Sequence, residues 1–271
     1  MKDKRILYVS SEVVPYLPET EMASTAFNAA RKAHSKGVQT RIFMPKFGVI
    51  NERRHQLHEV IRLSGMNLII NDMDMPLIIK VASIPKERMQ VYFIDNDEYF
   101  KRKAIFTDED DKLFEDNDER AIFFAKGVIE TVKKLNWAPD IIHIHGWMAS
   151  LLPLYLREYY KEEALFSQSK IVTSIYNNDF GGTLNTGLID KVKYDKIDDS
   201  KIEELQTPSY INILKNAIAN SDALIKGSET ISDELTQFIE EKEKPFLDYQ
   251  TEETLTEAYL DFYANKVLAQ Q

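Results

Sequence analysis

Two histidines spaced two apart, His143 and His145, sit near the end of the run Pro139-Asp140-Ile141-Ile142-His143-Ile144-His145-Gly146-Trp147. Imidazole can bond a substrate hydroxyl, move a proton or ligate a metal. Three other segments carry polar groups of comparable use: Ser10-Ser11-Glu12, Tyr176-Asn177-Asn178-Asp179 and Lys226-Gly227-Ser228. Each follows a short apolar run, so each is expected at the carboxyl end of a strand. Open α/β sheets bind their ligands there, and the four ends are expected to share one crevice. His143 and His145 are expected on opposite faces of their strand, which argues against a shared metal. On this reading His143 packs in the sheet. His145, at the strand's end, either bonds a substrate or is a satisfied structural histidine. Trp147 either stacks on a sugar or covers a helix start. Gly181-Gly182 lets the backbone approach a ligand closely or make a tight turn.

Residues 108–119 are dense in carboxylates. They read as a solvated loop feeding the N-terminus of the next helix, where negative charge is favoured. A calcium or magnesium loop is the alternative, but the glycine turn of an EF-hand loop is missing. There is no G-x-G-x-x-G, no P-loop and no G-x-S-x-G, so neither a nucleotide fingerprint nor hydrolase triad chemistry has support. The chain has no cysteine, which excludes disulfides, thiolate catalysis and Cys-based zinc sites. A net charge of −10 disfavours nucleic acid and anionic membranes as partners. No stretch approaches the roughly 20 apolar residues of a membrane helix. The N-terminal run Ile6–Val9 is too short for a signal sequence. A cytoplasmic protein with no cofactor and no metal is expected.

The elements that must position these groups follow from the apolar pattern. Ile6–Ser10, Met22–His34 and Val38–Pro45 read as strand, helix and strand, with Gly37 at the helix C-cap. Leu57–Ile70, Leu77–Ile84 and Met89–Ile94 read as a β-rich excursion, a hairpin beside the main sheet. Helix Ala121–Leu135, strand Asp140–Ile144, helix Met148–Tyr160, strand Lys170–Ile175, helix Pro208–Asn220, strand Ala223–Ile225 and helix Ser228–Glu240, capped by Ser228, then alternate. Thr251–Leu268 is a last amphipathic helix with Leu255, Tyr259, Phe262, Tyr263 and Val267 on one face. The alternation argues a doubly wound parallel α/β sheet of Rossmann type. The 271 residues suit one large domain or two small ones.

In this order the pieces resemble the bacterial glycogen/starch synthases, two-lobed glycosyltransferases of the GT-B fold that transfer glucose from ADP-glucose to α-1,4-glucan. Ile6–Pro15 looks like the family's first strand and its Ser-Glu-x-x-Pro turn. Asp116-Asn117-Asp118-Glu119-Arg120 looks like its D-N-x-x-R helix start. Pro139–Trp147 looks like P-D-[VI]-[VI]-H-x-H-D-W, continued by Ala149, Leu152 and Pro153. Thr173–Gly182 looks like T-x-H-N-x-x-[YF]-Q-G, and Leu214–Leu235 like the elements that close the first lobe. The resemblance covers nearly all of residues 4–240. It implies a first lobe at 1–241, followed by a linker and a C-terminal helix at 242–271 that packs on the lobe, as the last helix of GT-B chains does. It implies His145 as the active-site histidine, and Ser11, Glu12, Asn117, Trp147, Asn177, Asn178 and Gly181 as substrate contacts.

Where the family carries K-T-G-G-L-A-D for the donor phosphates, this chain has Pro18-Glu19-Thr20-Glu21-Met22-Ala23-Ser24. The family's H-D-W has become His145-Gly146-Trp147, its H-N has become Tyr176-Asn177, and nothing in the sequence resembles the second lobe. The resemblance therefore implies a synthase-like protein of glucan metabolism that is catalytically impaired alone. The alternative is a non-catalytic module that binds glucan or a full-length synthase. An α-glucan acceptor or a sugar nucleotide, and a homodimer or synthase partner, are the expected associations.

Overall fold

The computed structural model describes residues 1–84 and 86–269. The strands are β1 (Arg5–Ser10), β2 (Gln39–Pro45), β3 (His58–Glu59), β4 (Met66–Ile70), β5 (Met73–Ile84), β6 (Met89–Asp95), β7 (Ile141–His145), β8 (Lys170–Ile175), β9 (Ala223–Lys226) and β10 (Phe246–Leu247). They lie in the order β10-β9-β8-β7-β1-β2-β6-β5-β3, with β4 paired to β5. Every pairing from β10 to β6 is parallel. The chain steps from β1 to β2 on one side, and β7 later inserts on the other. The topological switch point, where such sheets open a crevice, therefore lies between β1 and β7.

The sequence explains the central strands. Ile6–Val9, Ile141–His145 and Ile171–Ile175 are buried throughout, as strands covered on both faces must be. One face carries the helix Glu21–Ser35, whose Ala26, Ala29, Ala30 and Ala33 allow close approach; the Tyr8 hydroxyl donates to Ala29 O at 3.5 Å. Helix Asn117–Leu135 reaches the sheet through Gly127, where a Cβ would stand 2.8 Å from Ile94 Cγ2.

Four expectations are corrected. β6 belongs to the main sheet, parallel to β2, because Val91–Ile94 is buried on both faces; only β3, β4 and β5 form the antiparallel excursion. Helix Asn117–Leu135 starts four residues before Ala121, and its first turn takes the acidic Asp118 and Glu119, which suit the positive end of the helix. The segment after Trp147 is not one regular helix: a 3-10 turn, a short α turn that holds Pro153 in its first residues and a wide turn at Tyr155–Tyr159 follow one another. Ser228 does not cap the last helix of the lobe. That helix is Asp233–Lys242 and Ser232 caps it, accepting from Leu235 N at 3.2 Å.

Helix Leu255–Phe262, continued by a wide turn to Val267, buries Leu255, Tyr259, Phe262, Tyr263 and Val267. Lys32 Nζ of the first helix donates to Glu252 O just before it, at 2.7 Å. On the opposite face of the sheet a buried ion pair, Lys126 Nζ to Asp195 Oδ1 at 2.6 Å, ties helix Asn117–Leu135 to the loop after helix Leu188–Tyr194.

Candidate functional site

The four strand ends meet around two adjoining hollows. The larger, of about 610 Å³, lies between Glu12, residues 103–109, Leu113, Trp147 and residues 178–180. The smaller, of about 210 Å³, lies between Glu12, Thr20, Glu21, Met22, Tyr176, Asn177, Asn178 and Ser228. Glu12 and Asn178 line both.

Beneath them lies a buried polar layer. Tyr8, His143 and Val172 are cross-strand neighbours, as are Ser10, His145 and Ser174, and alternate residues of a strand share a face. The expectation of opposite faces for His143 and His145 is thereby overturned: their rings lie on one side, centroids 4.0 Å apart. His143 is saturated, with Nε2 2.7 Å from Ser174 Oγ and Nδ1 2.7 Å from the Tyr263 hydroxyl. His145 Nδ1 lies 2.7 Å from the Tyr176 hydroxyl, while its Nε2 is buried without a partner among the described residues. Burial holds both imidazoles neutral; it pulls His145 down to about 3 and His143 well below its ordinary range, with His145 adding to the latter. The Tyr176 phenol is pushed well up by burial, so its bond to His145 joins two uncharged groups. Its ring lies on Gly227, where a Cβ would stand 2.6 Å from Tyr176 Cε1.

The first helix opens on the smaller hollow. Thr20 caps it, accepting from Ala23 N at 3.1 Å while its hydroxyl donates to Glu12 Oε2 at 2.9 Å. Glu21, in the first turn, accepts from Ser228 Oγ at 2.5 Å. A helix N-terminus is a ready-made anion site, and here two of the chain's own carboxylates face it. Burial raises the Glu12 carboxyl above its usual range, partly offset by the Thr20 bond. Met22 plugs the junction of three strand ends, its Sδ 3.9 Å from Ser11 Oγ and 3.8 Å from Asn178 Nδ2. At Gly146 (φ +83°) a Cβ would lie 2.1 Å from Ser11 Oγ and 2.6 Å from Met22 Sδ.

The larger hollow is aromatic. Phe106, Trp147, Phe180 and Tyr210 form a row with successive centroid separations of 4.7, 5.0 and 5.8 Å. Trp147 is itself buried beneath Phe106 and Phe180. The Tyr210 hydroxyl lies 2.7 Å from Asn178 Oδ1. The acidic run closes into a turn, with Asp108 Oδ1 accepting from Asp110 N at 2.9 Å and Lys112 N at 3.0 Å.

Glu12, Trp147, Asn177 and Asn178 thus line the hollows, and Ser11 and His145 lie directly beneath them. Asn117 is behind the wall: it is fully buried, its Nδ2 donates to Phe106 O at 2.9 Å, and its Oδ1 accepts from Arg120 at 2.5 Å. Gly181 is exposed, outside both linings, with nothing near its position for a Cβ and φ at +69°. The motif comparison already sets Glu19 and Glu21 against the donor phosphates; sequence reasoning missed the bond of Glu21 to Ser228, Met22 as the plug and Tyr210 as the anchor of Asn178. Only Glu21 left a signal, the Thr-Glu pair that caps and acidifies a first turn.

The family model for the starch synthase catalytic domain matches residues 5–248. A glycogen synthase of Chlorobium luteolum is 34% identical over 239 residues, 86% of this chain and 47% of its own length. One from Chlorobium phaeobacteroides is 41% identical over 177 residues, 64% of this chain and 36% of its own. The chain therefore spans about half the length, or less, of the curated relatives it matches. Among solved structures, the catalytic domain of starch synthase IV from Arabidopsis thaliana, bound to ADP and acarbose, superposes with a TM-score of 0.74 at 15% identity, over 93% of this chain and 52% of that one.

Proposed function

We propose that this chain, which belongs to the starch synthase catalytic domain family, acts in glucan metabolism as a lobe that holds α-glucan in the aromatic hollow and does not by itself transfer glucose from ADP-glucose. One observation carries the reading. The helix start that faces the crevice, the natural seat for a diphosphate, is turned against anions by Glu21, fixed on Ser228, and Glu12, fixed on Thr20. Met22 and Ser11 support it, because they fill the space an aspartate at position 146 would need. The aromatic row at Phe106 and Phe180 offers faces on which sugar rings stack. Residues 1–241 form the binding lobe on this reading, and 242–271 the linker and helix that complete it.

One feature favours a catalytic second reading: His145 Nε2 is buried without a partner among the described residues, a group available to a sugar hydroxyl if a partner synthase supplies the donor. The test is incubation with labelled ADP-glucose or UDP-glucose plus glycogen, beside native gels cast with glycogen. Retardation without label in polymer is the expected outcome. Label incorporated by the chain alone, and lost in His145→Ala, would overturn it. Label that appears only when a full-length synthase is added, and that falls in His145→Ala, would favour the second reading.

A further inference from the structure

At the end of the sheet opposite the crevice, one hollow is lined by arginines. This hollow, of about 380 Å³, lies at the N-terminal edge of β2 and beside the β5–β6 turn, lined by Thr40, Arg41, Ser83, Arg88 and Gln90 with Ile84 and Met89. Among the described residues no carboxylate lines it. Strand register assembles the polar part: Arg41 stands beside Leu7 of β1, and Gln90 beside Ser83 of β5. The guanidinium of Arg41 is held flat by aromatic rings, its Cζ 4.7 Å from the Trp137 centroid and 5.6 Å from that of Tyr92. The Tyr92 hydroxyl donates to Gln90 Oε1 at 2.8 Å, which orients that side chain and leaves its NH₂ without a partner among the described residues.

The two arginines of this hollow make no ion pair among the described residues. Arginine ion pairs among the described residues use Arg31, Arg102 and Arg157, and none uses Arg5, Arg41, Arg62 or Arg88. Arg41 Nη1 and Thr40 Oγ1 are buried with no hydrogen-bond partner among the described residues. Burial lowers the Arg41 guanidinium below its ordinary range, and the charges of Arg5 and Arg62 add to this. Stacking on Trp137 accounts for the plane of Arg41 but not for an unbonded Nη1. In a chain of net charge −10, crowded arginines without carboxylates are costly unless an anion joins them.

The geometry points to an oxyanion site in which Arg41 and Arg88 grip a phosphoryl group, with the Thr40 and Ser83 hydroxyls and the Gln90 amide completing its donors. Planar guanidinium forks suit phosphate oxygens. The hollow exceeds the size of one phosphate, so the class it takes is inorganic phosphate or a small phosphate monoester such as a sugar phosphate. The site lies across the sheet from the crevice and is independent of the glucan reading.

Isothermal titration of the full chain with inorganic phosphate and with glucose 1-phosphate, against chloride at matched ionic strength, tests it. Both ligands are expected to bind. A several-fold preference for glucose 1-phosphate assigns a sugar monoester, and equal affinity assigns free phosphate. Arg88→Gln, in an accessible turn, should weaken binding at least fivefold, and Arg41→Lys should weaken it similarly, with thermal unfolding checked for both. No heat beyond the chloride control, or an affinity unchanged in Arg88→Gln, would overturn the assignment. Retardation by glycogen should be the same in Arg88→Gln as in the parent, which separates this outcome from the fate of the crevice.

Discussion

The Tyr176 hydroxyl stands 2.7 Å from His145 Nδ1, and this contact fixes the imidazole while Nε2 stays without a partner among the described residues. Both members of the pair are buried and neutral, which makes their layer sensitive to acid.

Lowering the pH should destabilise the fold through His143 and His145. Both are depressed in the folded state, His145 to about 3, whereas an unfolded histidine titrates near 6.5. Between those values the unfolded chain binds protons that the folded chain refuses. Stability intact above about pH 6.5 is therefore lost as pH falls, by about 1.4 kcal/mol per pH unit for each histidine. Urea unfolding from pH 7 to pH 4.5 should show a shallower loss in His145→Gln than in the parent. An identical slope would refute the assignment.

Restoring an aspartate at position 146 should not restore a synthase site. Gly146→Asp places a Cβ against Ser11 Oγ and Met22 Sδ at a backbone φ of +83°. Left-handed backbone and overpacking together should cost about 2–4 kcal/mol. A lower urea midpoint with no gain in glucose transfer is expected.

Neutralising the helix start should admit a diphosphate. One negative charge removed a few ångströms from the anion is worth about 1 kcal/mol at high dielectric. Glu21→Gln should bind ADP roughly fivefold tighter than the parent in fluorescence titration. Equal affinities would show that Glu21 does not guard the site.

The aromatic hollow should lose glucan when its rim is trimmed. Phe180 packs on Trp147 at 5.0 Å and on Tyr210 at 5.8 Å, yet keeps one side in the hollow. Phe180→Ala should weaken retention in glycogen gels about fivefold, from a loss of about 1 kcal/mol of ring contact. Unaltered mobility would move the glucan elsewhere.

The Lys126–Asp195 pair should tolerate joint replacement better than single loss. Asp195 bonds Lys126 through one oxygen at 2.6 Å and the Tyr155 hydroxyl through the other at 2.7 Å. Asp195→Ala leaves a buried ammonium and should cost about 3–5 kcal/mol. Lys126→Met with Asp195→Leu should cost less in the same urea assay, and a larger loss in the double variant would contradict this account.

Much of the architecture was legible in the chain. Apolar runs such as Ile6–Val9 and Ile141–Ile144 are too short and too uniformly apolar for anything but doubly covered strands. Their alternation with helices implied a parallel sheet, and the motif order pointed to the starch synthase lobe. β6 was misplaced because a buried strand reads alike in a hairpin and in a parallel sheet; only pairing with β2 distinguishes them. Ser228 and Ser232 both stand before an apolar helical run, and only the bond from Leu235 N identifies Ser232 as the cap.

Residue types and strand ends by themselves determined where the crevice lies and that His145, Trp147 and Asn178 belong to it, since chain direction and strand position are local properties. What the crevice is was decided only in three dimensions. Glu21 on Ser228, Tyr176 on His145 and Tyr263 on His143 join residues between 31 and 207 positions apart by hydrogen bonds, and Met22, 124 positions from Gly146, leaves no room for a Cβ there. Contacts of this kind depend on packing across the sheet, and no local pattern in the sequence encodes them.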